Sequence, residues 1–291
     1  MLDKIAYTNP AFLELESLKL EVARIVNGLC DKLLISHERL FGNMLKNFWD
    51  HSYITGCLQQ LFPDARIILV VRKQDELVES IYKQSLQSGY YQGLNSFLNY
   101  RKNEFRESGD YLGQPNLDIN QLDLHRYVQS YVSTFGRSNL LVLPYELLRS
   151  DRTAFLDKLF AFLEIDPFYP PPNGRENRSY SWLSSYLALG LNRFAWAEGD
   201  GSRLLQFIPN KPLSPFLSGP PTDQHFDRTL RAINRGLTLR HLLQNGLDRI
   251  VYTRRSLISE KKRKLILDLH RDSNSRLDQE FDLDLRRFCY Y

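Results

Sequence analysis

Apolar positions recur at helical spacing near the start of the chain. Within residues 11–29 the apolar side chains recur with the periodicity of a helix: Phe12, Leu13, Leu15, Leu18, Leu20, Val22, Ile25 and Val26. The pattern therefore predicts a helix. The short apolar segment Lys32–Ser36, bounded by charge, predicts a buried strand, and a further helical stretch is predicted to end at Leu61.

The strongest strand signal is the run from Arg66 to Val71. Every residue from Ile67 onward is apolar, which is typical of a strand covered on both faces by helices. Helix-forming composition follows over Asp75–Ser88, and the apolar run Asn139–Leu143 is again followed by helix formers, including Arg152–Leu163. This alternation predicts an α/β fold with a short parallel sheet flanked by helices, followed by a largely helical C-terminal half.

Composition and charge narrow the class of protein. The 291 residues are 43% hydrophobic and carry a formal net charge of +4, which suits an anionic ligand but is too dilute for a dedicated nucleic-acid binder. The one dense basic run, Lys261–Lys264, falls in the predicted helix Ser259–Arg271, and we expect it to be a solvated face.

Cysteines and histidines offer no metal pattern. The three cysteines, Cys30, Cys57 and Cys289, are odd in number and far apart, so we expect neither a disulfide framework nor a zinc site, and a reducing compartment. With no transmembrane run and no signal peptide at Met1–Pro10, we expect a cytoplasmic protein. The histidines outside the strand ends stand singly, and no metal is expected: His51, His125, His225, His241 and His270.

Polar residues follow each predicted strand. In open α/β sheets ligands bind beyond the carboxyl ends of the strands, so these residues are the candidates for a site. The first strand is followed by His37 and Glu38, the second by Arg72, with Ser80 eight positions later, and the third by Tyr145. A base, a cation with a hydroxyl, and an aromatic ring are the components of a nucleotide site.

Two blocks carry a resemblance to a known family. Phe62 to Arg72, continuing to Glu79-Ser80-Ile81-Tyr82, and Leu140 to Leu148 resemble segments of the sulfotransferase superfamily that uses 3'-phosphoadenosine 5'-phosphosulfate. The resemblance implies a P-loop-like sulfotransferase fold in which Arg72 and Ser80 bind the 3'-phosphate of the cofactor. A guanidinium fork and a hydroxyl are suitable donors to phosphate.

The resemblance extends to other parts of the site. It implies that Tyr145 lies against the adenine, and that the loop resembling the family's cofactor-closing loop contributes Asn177, Arg178 and Ser179. Structural alternatives stay open for each group. Arg72 could pair with an acid such as Asp75, Tyr145 could be a core aromatic, and the loop residues could cap the next helix.

Transfer to a hydroxyl needs a base to remove its proton. Family branches place a glutamate or a histidine near the first strand end, which makes Glu38 and His37 the catalytic candidates. The alternative is structural, with Ser36 as the N-cap of a helix and Glu38 in its first turn.

One departure from the family is plain. The glycine-rich loop that wraps the 5'-phosphosulfate is missing, and Met1–Pro10 contains no glycine. We expect a single sulfotransferase-like domain over residues 1–291, truncated at its N-terminus by a shortened gene model, or else a degenerate member of the family.

The expected function is transfer of a sulfuryl group from 3'-phosphoadenosine 5'-phosphosulfate to an acceptor hydroxyl, with no metal. Carbohydrate, lipid and peptide acceptors are all open, with a carbohydrate preferred by analogy, and residues 90–120 and 198–223 are expected to shape the acceptor pocket. The alternative is a catalytically inactive relative that acts through binding or interaction. A phosphotransferase is disfavoured because the chain has no Gly-rich loop with Lys-Ser/Thr.

Overall fold

The computed structural model describes residues 2–26, 32–107, 115–170, 179–193, 247 and 255–291. The chain divides into two compact units. The first unit comprises Met1–Lys73, Gln121–Tyr169 and Leu267–Tyr291, and the second comprises Gln74–Asn120 and Pro170–Ile266. The single domain expected over residues 1–291 stays a prediction.

The elements of the described residues alternate between helix and strand. In chain order they are α1 (Leu2–Tyr7), α2 (Leu15–Val26), α3 (His51–Leu61), β1 (Ile67–Val71), α4 (Gln74–Gln87), α5 (Leu94–Phe97), β2 (Tyr100–Arg101), β3 (Glu104–Phe105), α6 (Leu124–Phe135), β4 (Leu140–Pro144), α7 (Tyr145–Ser150), α8 (Arg152–Leu163), α9 (Trp182–Leu191) and α10 (Glu260–Phe281). Short 3₁₀ turns lie at Pro10–Phe12, Met44–Lys46, Ile119–Gln121 and Arg137–Asn139. Among these helices, none is both long enough and apolar enough to cross a membrane.

A parallel pair of strands forms the centre of the first unit. β1 pairs with β4 in a register that sets Ile67 opposite Leu140 and Val71 opposite Pro144. The helix α8, predicted from Arg152 to Leu163, has those bounds. The prediction of an α/β fold with a short parallel sheet and a helical C-terminal half is confirmed.

The two faces of β1 differ in burial. Leu69 and Val71 are buried, whereas Val70, which points to the opposite face because strand side chains alternate, is 49% exposed. The expectation that helices cover both faces is therefore wrong at Val70. An unbroken apolar run permits burial on both faces but does not require it.

Helices α3 and α6 and the C-terminal segment enclose the core of the first unit. Their buried apolar side chains pack with those of the strands: Ile54, Cys57, Leu58, Leu61, Leu69, Val71, Leu124, Val128, Tyr131, Phe135, Leu140, Val142, Leu277, Phe281, Leu285 and Tyr290. Asp123 begins α6 as its N-cap, accepting a hydrogen bond from the backbone N–H of Arg126 at 2.9 Å. This core holds the two strand ends in a fixed frame.

The segment Lys32–Ser36 is not a strand. Leu33 and Leu34 are 46% and 66% exposed, and the backbone of this segment has no ladder partner in the part of the chain that the structure describes. It is attached instead through the Lys32 ammonium, which donates to the carbonyl oxygens of Leu163 and Glu164 at 2.8 and 2.6 Å. The prediction of a buried strand is therefore wrong. A short apolar run forms a strand only where a neighbouring strand pairs with its backbone groups, and the three apolar residues of this segment do not ensure that.

In the second unit, α4 and α9 pack together. Val78, Ile81 and Leu86 of α4 are buried, and the buried side-chain amide of Asn192 donates to the carbonyl oxygens of Leu86 and Tyr90 at 2.7 and 2.8 Å. The short antiparallel pair β2–β3 also belongs to this unit.

The basic run at the start of α10 is partly engaged in ion pairs. Arg263 donates to Asp75 at 2.5 Å and to Glu79 at 2.7 Å, and Asp75 is only 2% exposed. Burial would raise the pKa of Glu79, but hydrogen bonds from Lys83 and Ser256 and the nearby cations outweigh it, so that pKa is lowered. The expectation of a wholly solvated basic face is therefore wrong for Arg263.

Candidate functional site

The two parallel strands end side by side, which brings two predicted site residues together. Val71 lies opposite Pro144, so Arg72 and Tyr145 are the first residues beyond the paired strands. The guanidinium carbon of Arg72 lies 5.0 Å from the centre of the Tyr145 ring, a cation–π contact. Both side chains are partly buried, so they stand at the edge of the sheet between core and solvent.

This arrangement can bind an anion. The guanidinium is planar, always charged, and carries N–H groups in a fork that matches two phosphate oxygens. Contact with the ring restricts the orientation of the Arg72 side chain before any ligand arrives. Lys73 adds a second cationic residue directly after it. The carboxyl end of a parallel strand pair is also the edge at which α/β proteins bind their ligands.

The structure bears on the structural alternative for Tyr145. Tyr145 is only partly buried, and its ring contacts Arg72. Tyr145 is therefore not a fully buried core aromatic.

Glu146 is a component of this edge that sequence reasoning missed. Its carboxylate is buried, at 8% exposure. Its Oε1 accepts a hydrogen bond from the backbone N–H of Lys73 at 3.1 Å, and its Oε2 accepts one from the Tyr290 hydroxyl at 2.6 Å. A glutamate two residues beyond an apolar strand was the available signal, because a carboxylate that is buried there needs hydrogen-bond donors.

Glu38 begins a turn that spans residues 38–41, and His37 directly precedes it. The turn is closed by a hydrogen bond from the backbone N–H of Leu40 to the carbonyl oxygen of His37 at 3.2 Å, and no helix begins there. The structural alternative, with Ser36 as the N-cap of a helix, is therefore wrong. The Glu38 side chain is exposed, whereas His37 is partly buried.

The ring of His37 has a defined tautomer. Its Nδ1 accepts a hydrogen bond from the backbone N–H of Arg39 at 3.2 Å. A nitrogen that accepts carries no proton, so in the neutral ring the proton sits on Nε2. The basic lone pair of His37 is thus directed at its own backbone.

The remaining predicted cofactor residues belong to the second unit. Ser80 lies on α4 and is partly buried, and Ser179 is exposed two residues before Ser181. Asn177 and Arg178 lie outside the described residues. Ser181, not one of the three predicted residues, caps α9, because its Oγ accepts from the backbone N–H of Ser184 at 3.2 Å.

Two histidines have structural contacts. His51 is buried between the carbonyl oxygen of Phe41 at 3.0 Å and the Ser130 hydroxyl at 2.8 Å, and burial lowers its pKa. His125 contacts the carboxylate of Glu280 at 2.9 Å. Throughout the described ranges, no three His, Cys, Asp or Glu side chains form a group that could hold a metal ion. His225 and His241 lie outside those ranges.

One of the comparisons with known proteins found a match. A family model described as the sulfotransferase family matches residues 16–170, which is more than half of the chain and includes both parallel strands. A search of the curated proteins and a search of the solved structures found no match. On its matched sequence and its α/β fold, the chain belongs to the sulfotransferase family, whose members transfer sulfuryl groups.

Proposed function

We propose that this protein binds 3'-phosphoadenosine 5'-phosphosulfate and transfers its sulfuryl group to an acceptor hydroxyl. One observation carries the proposal: Arg72 is held against the Tyr145 ring at the carboxyl end of the parallel strands, inside the segment that matches the family. A preoriented guanidinium at this edge suits an anionic nucleotide.

Arg72 and Ser80 would bind the 3'-phosphate, one as a charged fork and the other as a neutral donor. Tyr145 would lie against the adenine with one face of its ring while its contact with Arg72 keeps the guanidinium in place. Asn177, Arg178 and Ser179 would contribute the polar contacts of the loop that closes over the nucleotide.

Of the two candidate bases, we propose Glu38. The acceptor oxygen attacks sulfur as the bond between sulfur and the phosphate oxygen breaks, and the acceptor's proton passes to the base. His37 is less suited to receive it, because its Nδ1 already accepts from the Arg39 N–H. The carboxylate of Glu38 is exposed, and when it is ionised either of its oxygens can take up a proton. The bisphosphate leaves with the electron pair of the broken bond.

The acceptor is proposed to be a carbohydrate hydroxyl, by analogy with the family, and the location to be cytoplasmic. Within residues 90–120, which were expected to shape the acceptor pocket, Phe97 is not available to line it. Phe97 is 1% exposed and packs against the Tyr82 ring at 5.2 Å, so it belongs to the core of the second unit. Residues 198–223 lie outside the described residues.

The nucleotide site is tested by thermal unfolding of the full chain. A ligand that binds only the folded state at roughly a hundredfold excess over its Kd stabilises it by about 2.7 kcal/mol. We expect 3'-phosphoadenosine 5'-phosphate to raise Tm and 5'-AMP, which lacks the 3'-phosphate, to raise it much less. Arg72→Ala should lose the difference between the two nucleotides.

Arg66→Ala is the matched control, because Arg66 also lies beside an aromatic ring, at the other end of β1. It should respond to both nucleotides as the wild type does. Equal responses of the wild type and Arg72→Ala to the bisphosphate would exclude Arg72 as the 3'-phosphate ligand. No response of the wild type would reject the nucleotide site.

Turnover separates an enzyme from an inactive binding relative. The inactive alternative is favoured by one sequence feature, since no glycine in the chain begins a Gly-x-x-Arg/Lys-Ser-Gly-Thr-Thr loop. Transfer of labelled sulfate from the donor to carbohydrate, lipid and peptide acceptors should be detectable in the wild type and strongly reduced in Glu38→Gln. Nucleotide binding without transfer to any of the three would identify a binding protein.

A further inference from the structure

The buried carboxylate of Glu146 connects the two strand ends that carry the proposed site. Glu146 directly follows Tyr145, and its Oε1 accepts the backbone N–H of Lys73 at 3.1 Å. That N–H belongs to the peptide bond that joins Arg72 to Lys73. The carboxylate therefore restrains the backbone on which Arg72 stands, from the strand end on which Tyr145 stands.

The second oxygen of this carboxylate is held from the C-terminal segment. Tyr290 is fully buried, and its hydroxyl donates to Glu146 Oε2 at 2.6 Å, across 144 positions of sequence. The Tyr290 hydroxyl therefore gives this buried oxygen of Glu146 the donor that a buried polar atom requires.

Tyr290 is itself fixed in place. Its carbonyl oxygen accepts from the side-chain amide of the fully buried Asn274 on α10 at 3.0 Å, and its own backbone N–H donates to the carbonyl oxygen of Leu285 at 3.2 Å. Tyr290 and Asn274 lie outside residues 16–170, the segment that matches the family. A part of the chain beyond that segment thus supports the edge of the sheet.

We infer that Glu146 and Tyr290 are positioning residues of the nucleotide site. They act on the bound phosphate through Arg72, by fixing the peptide after it. The inference rests on the proposed function, because it assigns a role in binding the 3'-phosphate. Without the Tyr290 hydroxyl, Oε2 of a buried carboxylate loses its donor. The carboxylate then has to reorient, and its hold on the Lys73 N–H weakens.

Tyr290→Phe tests this by removing the hydroxyl and keeping the ring. The readout is the Kd for 3'-phosphoadenosine 5'-phosphate and for 5'-AMP by titration calorimetry on the full chain. We expect about tenfold weaker binding of the bisphosphate, from the loss of one hydrogen bond to a charged group, with little change for 5'-AMP.

Tyr291→Phe is the matched control. The neighbouring tyrosine also donates its hydroxyl to a carboxylate, that of Asp278, at 2.7 Å. Its removal deletes the same kind of bond without touching Glu146, so the affinities for both nucleotides should match those of the wild type.

A double variant distinguishes an effect of Tyr290 through Arg72 from a general destabilisation of the nucleotide site. If Tyr290 acts through Arg72, then Arg72→Ala combined with Tyr290→Phe should bind the bisphosphate as weakly as Arg72→Ala alone. A further tenfold loss in the double variant would overturn the inference, as would equal weakening of both nucleotides in Tyr290→Phe.

Glu146→Gln serves if Tyr290→Phe does not fold. Glutamine still accepts the Lys73 N–H with its carbonyl oxygen and can donate to the Tyr290 oxygen, so we expect a smaller loss that is still selective for the 3'-phosphate. Wild-type affinity for the bisphosphate in this variant would overturn the inference. Failure of the wild type to bind the bisphosphate would instead reject the proposed function, and this inference with it.

Discussion

The two ends of the β1–β4 sheet are built from the same residue types and differ in what those residues contact. At the amino end, Arg66 lies with its guanidinium carbon 5.8 Å from the centre of the Phe162 ring, beside Glu164. At the carboxyl end, Arg72 lies 5.0 Å from the centre of the Tyr145 ring, and Glu146 follows that tyrosine. Each end thus has an arginine, a ring and a glutamate.

The glutamates make the difference. Glu164 has an exposed side chain and accepts directly from Arg66 at 2.7 Å. Glu146 is buried, and its carboxylate accepts hydrogen bonds from a backbone N–H and a tyrosine hydroxyl. At the amino end the glutamate neutralises the arginine at the surface, whereas at the carboxyl end it restrains the backbone beneath the arginine.

The amino end has a structural purpose. Arg66 also donates to the carbonyl oxygen of Phe162 at 2.7 Å, and Lys32 donates to those of Leu163 and Glu164. These carbonyl groups lie at the C-terminus of α8. Carbonyl oxygens without a partner in the helix, together with the helix dipole, favour cations at this position. At this end the arginine beside a ring therefore stabilises the end of a helix, and its neighbouring glutamate is exposed rather than buried.

The largest expected effect is on the stability of Glu146→Ala. Removing this carboxylate leaves the Lys73 N–H and the Tyr290 hydroxyl without their buried acceptor, which should lower the free energy of unfolding by about 3 kcal/mol. Urea denaturation measures the loss. Glu164→Ala, which removes the exposed glutamate at the other end, should cost less. Equal losses would mean that burial does not distinguish the two ends.

The next effect is on ligand affinity, in Arg72→Lys and Arg66→Lys. Lysine keeps the positive charge but loses the planar fork that binds two phosphate oxygens. We expect the Kd for 3'-phosphoadenosine 5'-phosphate to rise about tenfold in Arg72→Lys, by the loss of one charge-assisted hydrogen bond, and to stay unchanged in Arg66→Lys. A wild-type Kd in Arg72→Lys would show that only charge matters at the carboxyl end.

Salt should separate the two ends further. At roughly 1 M salt the Debye length is about 3 Å, so exposed ion pairs are screened and buried contacts are not. The stability difference between the wild type and Arg66→Ala should therefore shrink at high salt, while the difference between the wild type and Glu146→Ala should persist. Urea titrations at low and high salt give both differences. If the stability difference between the wild type and Arg66→Ala did not depend on salt, this would contradict a surface ion pair at Arg66.

The smallest effect is the acid dependence of the amino end. The hydrogen bond from Arg66 and its positive charge lower the pKa of Glu164 from its ordinary value of 4.5. A carboxylate with a lowered folded-state pKa stabilises the fold above its unfolded pKa, and this stability disappears as the pH falls through the folded value. The stability difference between the wild type and Glu164→Gln should thus be complete above pH 4.5 and fade at lower pH. A difference constant down to the acid transition would contradict this.

Local patterns predicted the framework of the site well. The apolar runs that became β1 and β4, and the helix formers that became α8, were all recognisable from neighbouring residues. Local patterns were wrong where an element depended on a distant partner. Lys32–Ser36 has the composition of a strand, but Lys32 binds the carbonyl groups at the end of α8. Arg263 lies in a basic run that predicts exposure to solvent, but it pairs with Asp75.

The sequence by itself determined the strands β1 and β4 and the helices that follow them, the placement of Arg72 and Tyr145 at strand ends, and membership of the sulfotransferase family. These follow from runs of a few residues, because strand and helix periodicity are local properties. The tertiary structure alone decided the register of the two parallel strands, with Val71 opposite Pro144, and the burial of Glu146 with Tyr290 as its donor. Burial and hydrogen-bond partners depend on contacts between residues far apart in sequence, such as the 144 positions from Glu146 to Tyr290, and no local pattern encodes them.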